Sequence, residues 1–326
     1  MERLRVPGGG SHWLTRWTAV PRLAAWLLPL FLTTPVTADP VDVIVIANES
    51  EIHTRILTAA SEELTALGST ARLLPILADE LESELENRRS TALVVTLGSR
   101  AARELHVKIP VPMLHAAIPA ALYPSLQSSP ESEQHPQGHS ALFLDQPATR
   151  QIDAIHITLP QLQRLGVLTS PGTEAMIVPL RAAASDAGIE MIDTIVPEPE
   201  LLIPRVEQLL RYTDALLITP DANLYNRYTL QKVLLAAYRQ RKPVIGLSAA
   251  YVKAGALLAV HADPEAIGHD LGEAIARFIE RGRLDPPSHV QRFAIAVNHH
   301  VARSLGLNLP ADQELLRLLQ QSESRQ

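Results

Sequence analysis

From Val41 onward, apolar and polar positions follow two alternating patterns. VDVIVIA is apolar almost throughout, Asn48-Glu49-Ser50 breaks it, and IHTRILTAASEELTAL then puts Ile52, Ile56, Leu57, Ala60, Leu64 and Leu67 on one helical stripe that Gly68 stops. A run apolar on both faces predicts a parallel strand covered by helices on each side. The unit repeats as ARLLPIL, a charged helix around Glu80 to Arg89, TALVVTLG, the helix SRAARELH, and VPMLHAA.

The cycle then restarts. RLGVLTS leads to a helix through VPLRAAASDAG, MIDTIV, a helix through LIPRVEQLLRY, DALLITPD, a helix through TLQKVLLAAYRQ, and KPVIGLSAA. Side by side, TALVVTLG matches DALLITPD and VPMLHAA matches VIGLSAA, in register across two halves of similar length. That predicts two α/β lobes of one design. The polar, Pro- and Ser-rich stretch at 123–140 reads as a surface excursion near the boundary. After Gly255, ALLAVHADPEAIGHDLGEAIARFIERG supplies one more strand and helix, and VQRFAIAVN and HHVARSLG close the pattern. The expected fold is therefore two Rossmann-like lobes with parallel sheets, joined by a hinge of several strands. The boundaries place 39–142 plus about 256–288 in the first lobe and 143–255 plus about 289–326 in the second.

The first 38 residues read as a leader rather than as fold. Arg3, Arg5, Arg16 and Arg22 precede an apolar stretch from Leu23 to Leu32, and Val36-Thr37-Ala38 has the small residues of a cleavage site. A membrane anchor needs about 20 apolar residues, and this run is shorter and carries Pro29. The chain has no cysteine, which closes the lipoprotein route and excludes disulfides. Removing the leader takes four of 29 Lys and Arg and one of 35 Asp and Glu, leaving 25 against 34 and a formal charge of −9. Nucleic acid and anionic membranes are poor partners for such a chain. A soluble, exported protein in the periplasm is expected.

In open parallel sheets, ligands bind beyond the carboxyl ends of the strands. The loops to inspect are then Asn48 with Ser50, Gly98 with Ser99, His115, Ser170 with Thr173, Asp221 with Asn223 and Tyr225, and Ser248 with Tyr251. Asp221 follows a buried strand, where a carboxylate either accepts hydrogen bonds from a ligand or caps the next helix. Ser99 and Ser170 have the same two roles open, and Arg100 either reaches the ligand or is solvated.

Several chemistries lack their residues. There is no G-x-S-x-G, no G-x-x-x-x-G-K-[ST], no H-E-x-x-H and no nucleophilic cysteine, so an enzyme is not expected. His261, His269, His299 and His300 read as scattered surface histidines, so neither a metal site nor a cofactor is expected.

The order of segments resembles the periplasmic substrate-binding proteins of ABC transporters, in particular the family that includes tryptophan and tyrosine binders. The resemblance is carried by Gly98-Ser99-Arg100-Ala101-Ala102, by Leu159-Pro160 ahead of RLGVLTSPGTEA, by Ala215 to Asp221, by KPVIGLSAAYVKAGAL, by Gly268 and Leu271-Gly272, and by Asn298, Ala302, Leu305-Gly306 and Leu309-Pro310. It implies a type I two-lobed binding fold, a monomer that closes on a small-molecule ligand and delivers it to an ABC permease, with a membrane sensor as the alternative partner. It also favours ligand contact for Asp221, and the strands that cross between two such lobes put hinge points near Leu144-Asp145-Gln146-Pro147 and Lys253-Ala254-Gly255. The chain departs from the family at Ile118-Pro119-Ala120 and at Gly138-His139-Ser140. Trp13, Trp17 and Trp26 all lie in the leader, so Tyr225, Tyr228 and Tyr251 are the aromatic groups left near the site.

Overall fold

Strands with continuous apolar runs build the first sheet: β1 (Val41–Ile46), β2 (Ala71–Ile76), β3 (Thr91–Leu97), β4 (Met113–Ile118) and β5 (His139–Phe143). Between them run α1 (Glu51–Ala66), α2 (Leu81–Asn87), α3 (Ser99–Leu105) and α4 (Tyr123–Gln127). The second set is α5 (Ala148–Thr158), β6 (Arg164–Thr169), α6 (Val178–Asp186), β7 (Glu190–Ile195), α7 (Leu202–Leu209), β8 (Ala215–Leu217), α8 (Leu230–Arg239), β9 (Val244–Gly246), α9 (Ala249–Ala254) and β10 (Leu258–His261). Then come α10 (Pro264–Arg281), β11 (Ser288–His289), β12 (Ala294–Val297), α11 (His299–Ser304) and α12 (Asp312–Glu323). This computed structural model describes residues 40–48, 50–87, 91–105, 111–127 and 138–324. The expected leader, Glu49 and residues 128–137 of the polar connection lie outside the described residues.

The repeat read from the sequence is realised in the topology. The sheets run β11-β5-β4-β3-β1-β2 and β12-β10-β9-β8-β6-β7, so each strand of one has a counterpart at the same place in the other. All pairings are parallel except β10 with β12. Both faces of the central strands are buried, as their composition requires: Val43 and Val45 pack in one cluster, Ile44 and Ile46 in another.

The lobes exchange a helix. α5 follows the first sheet but buries Ile152, Ala154 and Ile155 in the second core, whereas α10 follows the second sheet and buries Ile267, Leu271, Ile275 and Phe278 in the first. Against α1, α10 packs closely at Gly268 and Gly272: a Cβ at Gly268 would lie 2.3 Å from the Ile56 carbonyl oxygen, and one at Gly272 would lie 2.8 Å from that of Ala60. Only hydrogen fits there.

Three expectations need correction. Residues 258–261 pair with β9 and β12 in the second sheet, so the return to the first lobe begins at Ala262 rather than near 256. At the other end His289 pairs with Phe143 in the first sheet, so that crossing follows directly, at 290–293. Lys253-Ala254-Gly255 joins α9 to β10 inside the second lobe and is no hinge point. On α1 the buried stripe is Ile56, Ala59, Ala60 and Leu64, while Ile52 and Leu67 at its two ends stay more than half exposed. Among the described residues no helix is long and apolar enough to cross a membrane.

Candidate functional site

β6 and β8 are adjacent strands, and their carboxyl ends release two loops side by side. Asp221, in the loop after β8, is 2 % exposed, and its carboxylate accepts three hydrogen bonds. Ser170 N donates to Oδ2 at 2.7 Å, Thr173 Oγ1 donates to the same oxygen at 2.9 Å, and Asn223 N donates to Oδ1 at 3.0 Å. The last bond closes an Asx turn, and the first two cross to the loop after β6. Asn223 Nδ2 also donates to Ser170 Oγ at 3.0 Å. A carboxylate has about four acceptor positions, so Asp221 spends most of its capacity holding its own lobe.

This bears on the choice left open by the sequence. Asp221 is neither a simple helix cap nor a carboxylate presented bare to a ligand. It is a staple between two loops, and the groups it fixes in place are Ser170, Thr173 and Asn223. The single Thr173 hydroxyl proton is shared between Asp221 Oδ2 and Ser170 O, the latter 2.8 Å away, and Gly172 at φ +84 makes the tight turn between them.

Tyr225 lies behind the staple. Its N–H donates to Asp221 O at 2.9 Å, and its ring packs among Leu168, Leu224 and Val233 at 5 % exposure. Its hydroxyl is buried with no hydrogen-bond partner among the described residues. Burial, then the nearby Asp221 carboxylate and Tyr251, push the phenol well above its ordinary range. Tyr251, half-buried on α9, packs directly over Gly246, where a Cβ would meet its own Cβ at 2.5 Å. Burial raises the Tyr251 phenol as well. Ser248 stands at the start of α9 without a side-chain capping bond.

The first lobe is built differently. Ser50 caps α1, its Oγ accepting from His53 N at 3.1 Å. His53 Nδ1 lies 3.2 Å from Asn48 N and 3.1 Å from Asn48 O, so the imidazole holds the loop after β1. On its other side the ring approaches the loop after β3: a Cβ on Gly98, at φ +88, would sit 3.7 Å from His53 Nε2. Ser99 opens α3 beside it, half-buried. Arg100 turns out to solvent and pairs with Glu104 at 2.9 Å.

His115 is a correction. The strand continues to Ile118, so His115 sits inside β4 and not in the loop beyond it. It is fully buried, with Nδ1 2.8 Å from Thr96 Oγ1 and the ring against Tyr123 and His139. Tyr228 is 66 % exposed with Arg227 over its ring. Nor are the remaining histidines all scattered on the surface. His261 is buried beside Asp263, His269 meets Glu63 at 2.8 Å, and His299 meets Asp312 at 2.8 Å. Among the described residues no group of three or more potential ligands could hold a metal ion.

Sequence reasoning missed His53, whose role depends on an imidazole reaching back five positions to Asn48. It placed Asp145 at a hinge but missed that its Oδ1 accepts from Ala120 N at 2.7 Å and so orders the loop after β4. Neither contact leaves a periodic signal.

Comparison with known proteins gives a consistent picture. The family model described as ABC transporter substrate binding protein matches residues 75–319. Curated protein sequences give no significant match. Among solved structures, a ligand-free, open substrate-binding protein with adhesive properties from Clostridium difficile aligns at 15% identity and TM-score 0.65, over 85% of this chain and 97% of that one. An ABC domain from Streptococcus pneumonia in complex with L-Trp aligns at 19% identity and TM-score 0.56, over 85% and 98%. A periplasmic ribose ABC transporter protein from Conexibacter woesei gives 12% identity and TM-score 0.51, over 85% and 97%. At these identities the structures establish the shared type I periplasmic binding fold.

Proposed function

We propose that this chain, which belongs to the ABC transporter substrate binding protein family, is exported by a cleavable leader, closes its two lobes on a small polar solute, and delivers that solute to a membrane permease. The observation that carries the reading is the stapled pair of loops at the ends of β6 and β8. A buried carboxylate that accepts three bonds from two loops fixes Ser170 and Asn223 in advance, and preorganised polar groups at a strand-end position are what a small-solute site needs.

In this reading Asp221 positions the wall rather than touching the ligand. Ser170, Asn223, Ser248 and Tyr251 contact the solute from the second lobe, with Asn48 and Ser99 meeting it from the first. These are hydroxyl, phenol and amide groups, which suit a ligand rich in hydrogen-bonding groups. Tyr225 lies beneath the wall, where its hydroxyl takes a bridging water or a polar group of the ligand.

A thermal-shift screen of residues 39–326 against amino acids, sugars and polyols, nucleosides and small anions tests this. One chemical class should raise the midpoint in a concentration-dependent way, because selective binding stabilises the native state by mass action. Asn223→Ala should abolish that shift without lowering the ligand-free midpoint. A protein that responds to no class, or a shift that survives the substitution, contradicts the proposal.

A further inference from the structure

Among the described residues the chain passes between the two sheets at three places: Leu144–Pro147, Ala262–Asp263 and Val290–Phe293. At the first and third, hydrogen bonds and packing divide the segment into a part bound to one lobe and a part bound to the other. In the first crossing Leu144 N donates to Ile118 O at 2.8 Å, Asp145 Oδ1 accepts from Ala120 N, and Asp145 O accepts from His289 Nδ1 at 2.7 Å, all on the first lobe. From Gln146 on, the bonds go to α5: its Oε1 accepts from Arg150 Nη1 at 2.9 Å and its backbone carbonyl accepts from Gln151 Nε2 at 2.8 Å. The change of allegiance falls on one peptide, Asp145–Gln146.

The third crossing is gripped from both sides at once. Arg150, 4 % exposed on α5, donates through Nη1 to Val290 O at 3.1 Å and lies 3.9 Å over the Phe293 ring. Its Nε donates to Glu323 Oε1, at the end of α12, at 2.5 Å. Between those two contacts, Asp270 on α10 accepts from Gln291 N and from Arg292 N and binds the Arg292 guanidinium. Val290 stays with the first lobe, its N donating to Phe143 O at 3.3 Å and its side chain buried in the first core, and Asp270 holds Gln291 and Arg292 there too. Phe293 packs on the second core, so the change of allegiance falls at Arg292–Phe293 and the Arg150 bond to Val290 O reaches across it.

We propose that Arg150 is the pivot post of the hinge: a buried guanidinium rooted in the second lobe that holds Gln146 and Phe293 on its own side and bonds across to Val290 O on the first, so that lobe rotation is confined to Asp145–Gln146, Ala262 and Arg292–Phe293. Asp270 is the matching anchor on the first lobe, and Glu323 holds the post upright. Losing either contact with the guanidinium leaves a buried charge partly unpaired, so the post resists displacement while the backbone between the two anchors turns. Beside it, Gln146 Nε2 is a buried donor with no partner among the described residues. The inference rests on the reading that the lobes move, but it does not require the ligand.

The absence of cysteine permits a direct test. Spin labels at Glu51→Cys and Glu174→Cys, exposed positions on α1 and on the turn before α6, report the interlobe distance in ligand-free protein. Arg150→Lys and Glu323→Gln should each broaden the distance distribution and change the ratio of its populations by roughly three- to tenfold, because a charge-assisted bond is weakened more in one state than in the other. Glu314→Gln, which breaks an exposed pair with Arg317 on the same helix, should leave the distribution unchanged. If Arg150→Lys and Glu323→Gln lower the melting midpoint while their distributions superimpose on the parent's, Arg150 merely staples α12 to α5 and the pivot assignment is wrong. A protein that binds no solute but shows the broadening would refute the proposed function and leave the pivot standing.

Discussion

The two lobes share a strand order and differ in what holds them. In the first, the tightest constraint is steric: α10 meets α1 through Gly268 and Gly272, with backbone against backbone. Its strand-end loops are tied by one half-buried imidazole, His53, reaching from the loop after β1 toward Gly98. In the second, the tie runs the opposite way, from the loop after β8 to the loop after β6, and the tying group is the buried carboxylate of Asp221. One topology thus accepts either a packing constraint or a polar one, and the polar one lies where the proposed site places a ligand wall.

Substitutions that attack each device should separate the lobes in calorimetry, since two lobes need not unfold in one step. The largest effect is expected from Gly268→Ala. A Cβ 2.3 Å from Ile56 O and 2.6 Å from Ala59 Cβ forces α1 and α10 apart, at a cost of about 3 kcal/mol despite the gain in helix propensity. The transition belonging to the first lobe should fall and the other stay.

Asp221→Ala comes next. It leaves Ser170 N and Asn223 N without their acceptor, while the Thr173 hydroxyl keeps Ser170 O, which costs about 2 kcal/mol and should lower the second-lobe transition. Asp221→Asn is not silent either, because its NH₂ must face at least one of those donors. About half of the alanine effect is expected. A variant indistinguishable from the parent in urea unfolding would show that the staple carries no energy.

Tyr225→Phe should act in the other direction. Removing a buried hydroxyl that has no partner in the protein should stabilise the second lobe by up to ~1 kcal/mol, and any loss of ligand affinity would then belong to the hydroxyl itself. The same group predicts an alkaline dependence. Its folded pKa is raised, so its contribution is intact below the unfolded value of about 10 and is lost as pH rises beyond it. A native-state absorbance titration should show this phenol resisting ionisation until the protein unfolds. The smallest effect, about 0.5–1 kcal/mol, is expected for His53→Ala, whose contacts are partly solvated.

The strands, their parallel pairing and the internal repeat were legible because runs such as VDVIVIA and DALLITPD are apolar at positions of both parities, which only a doubly covered strand requires. The allegiance of β10 was not, since its apolar run fits either sheet and the pairing is decided by neighbours distant in sequence. Asp221 stood out by its place at a strand end. Its role did not, because two of its three partners lie about 50 residues upstream. His115 was misplaced although VPMLHAA already contained it: the strand continues to Ile118, so His115 lies three residues inside its end. Arg150 and Asp270 gave no signal at all, for an arginine and an aspartate on amphipathic helices read as solvated until the crossing segments are laid against them.

The central claim is that one solute is held between both walls, with Asn223 and Asn48 on opposite sides of it. Isothermal titration of the compound found by the screen into the parent, Asn223→Ala and Asn48→Ala proteins tests it most directly. The account predicts that each single change weakens binding by roughly tenfold or more, the loss of one or two hydrogen bonds, while both variants keep the parent's ligand-free melting profile. Full affinity in Asn48→Ala beside lost affinity in Asn223→Ala would mean that the ligand sits on one lobe alone, and the two-walled site would be wrong.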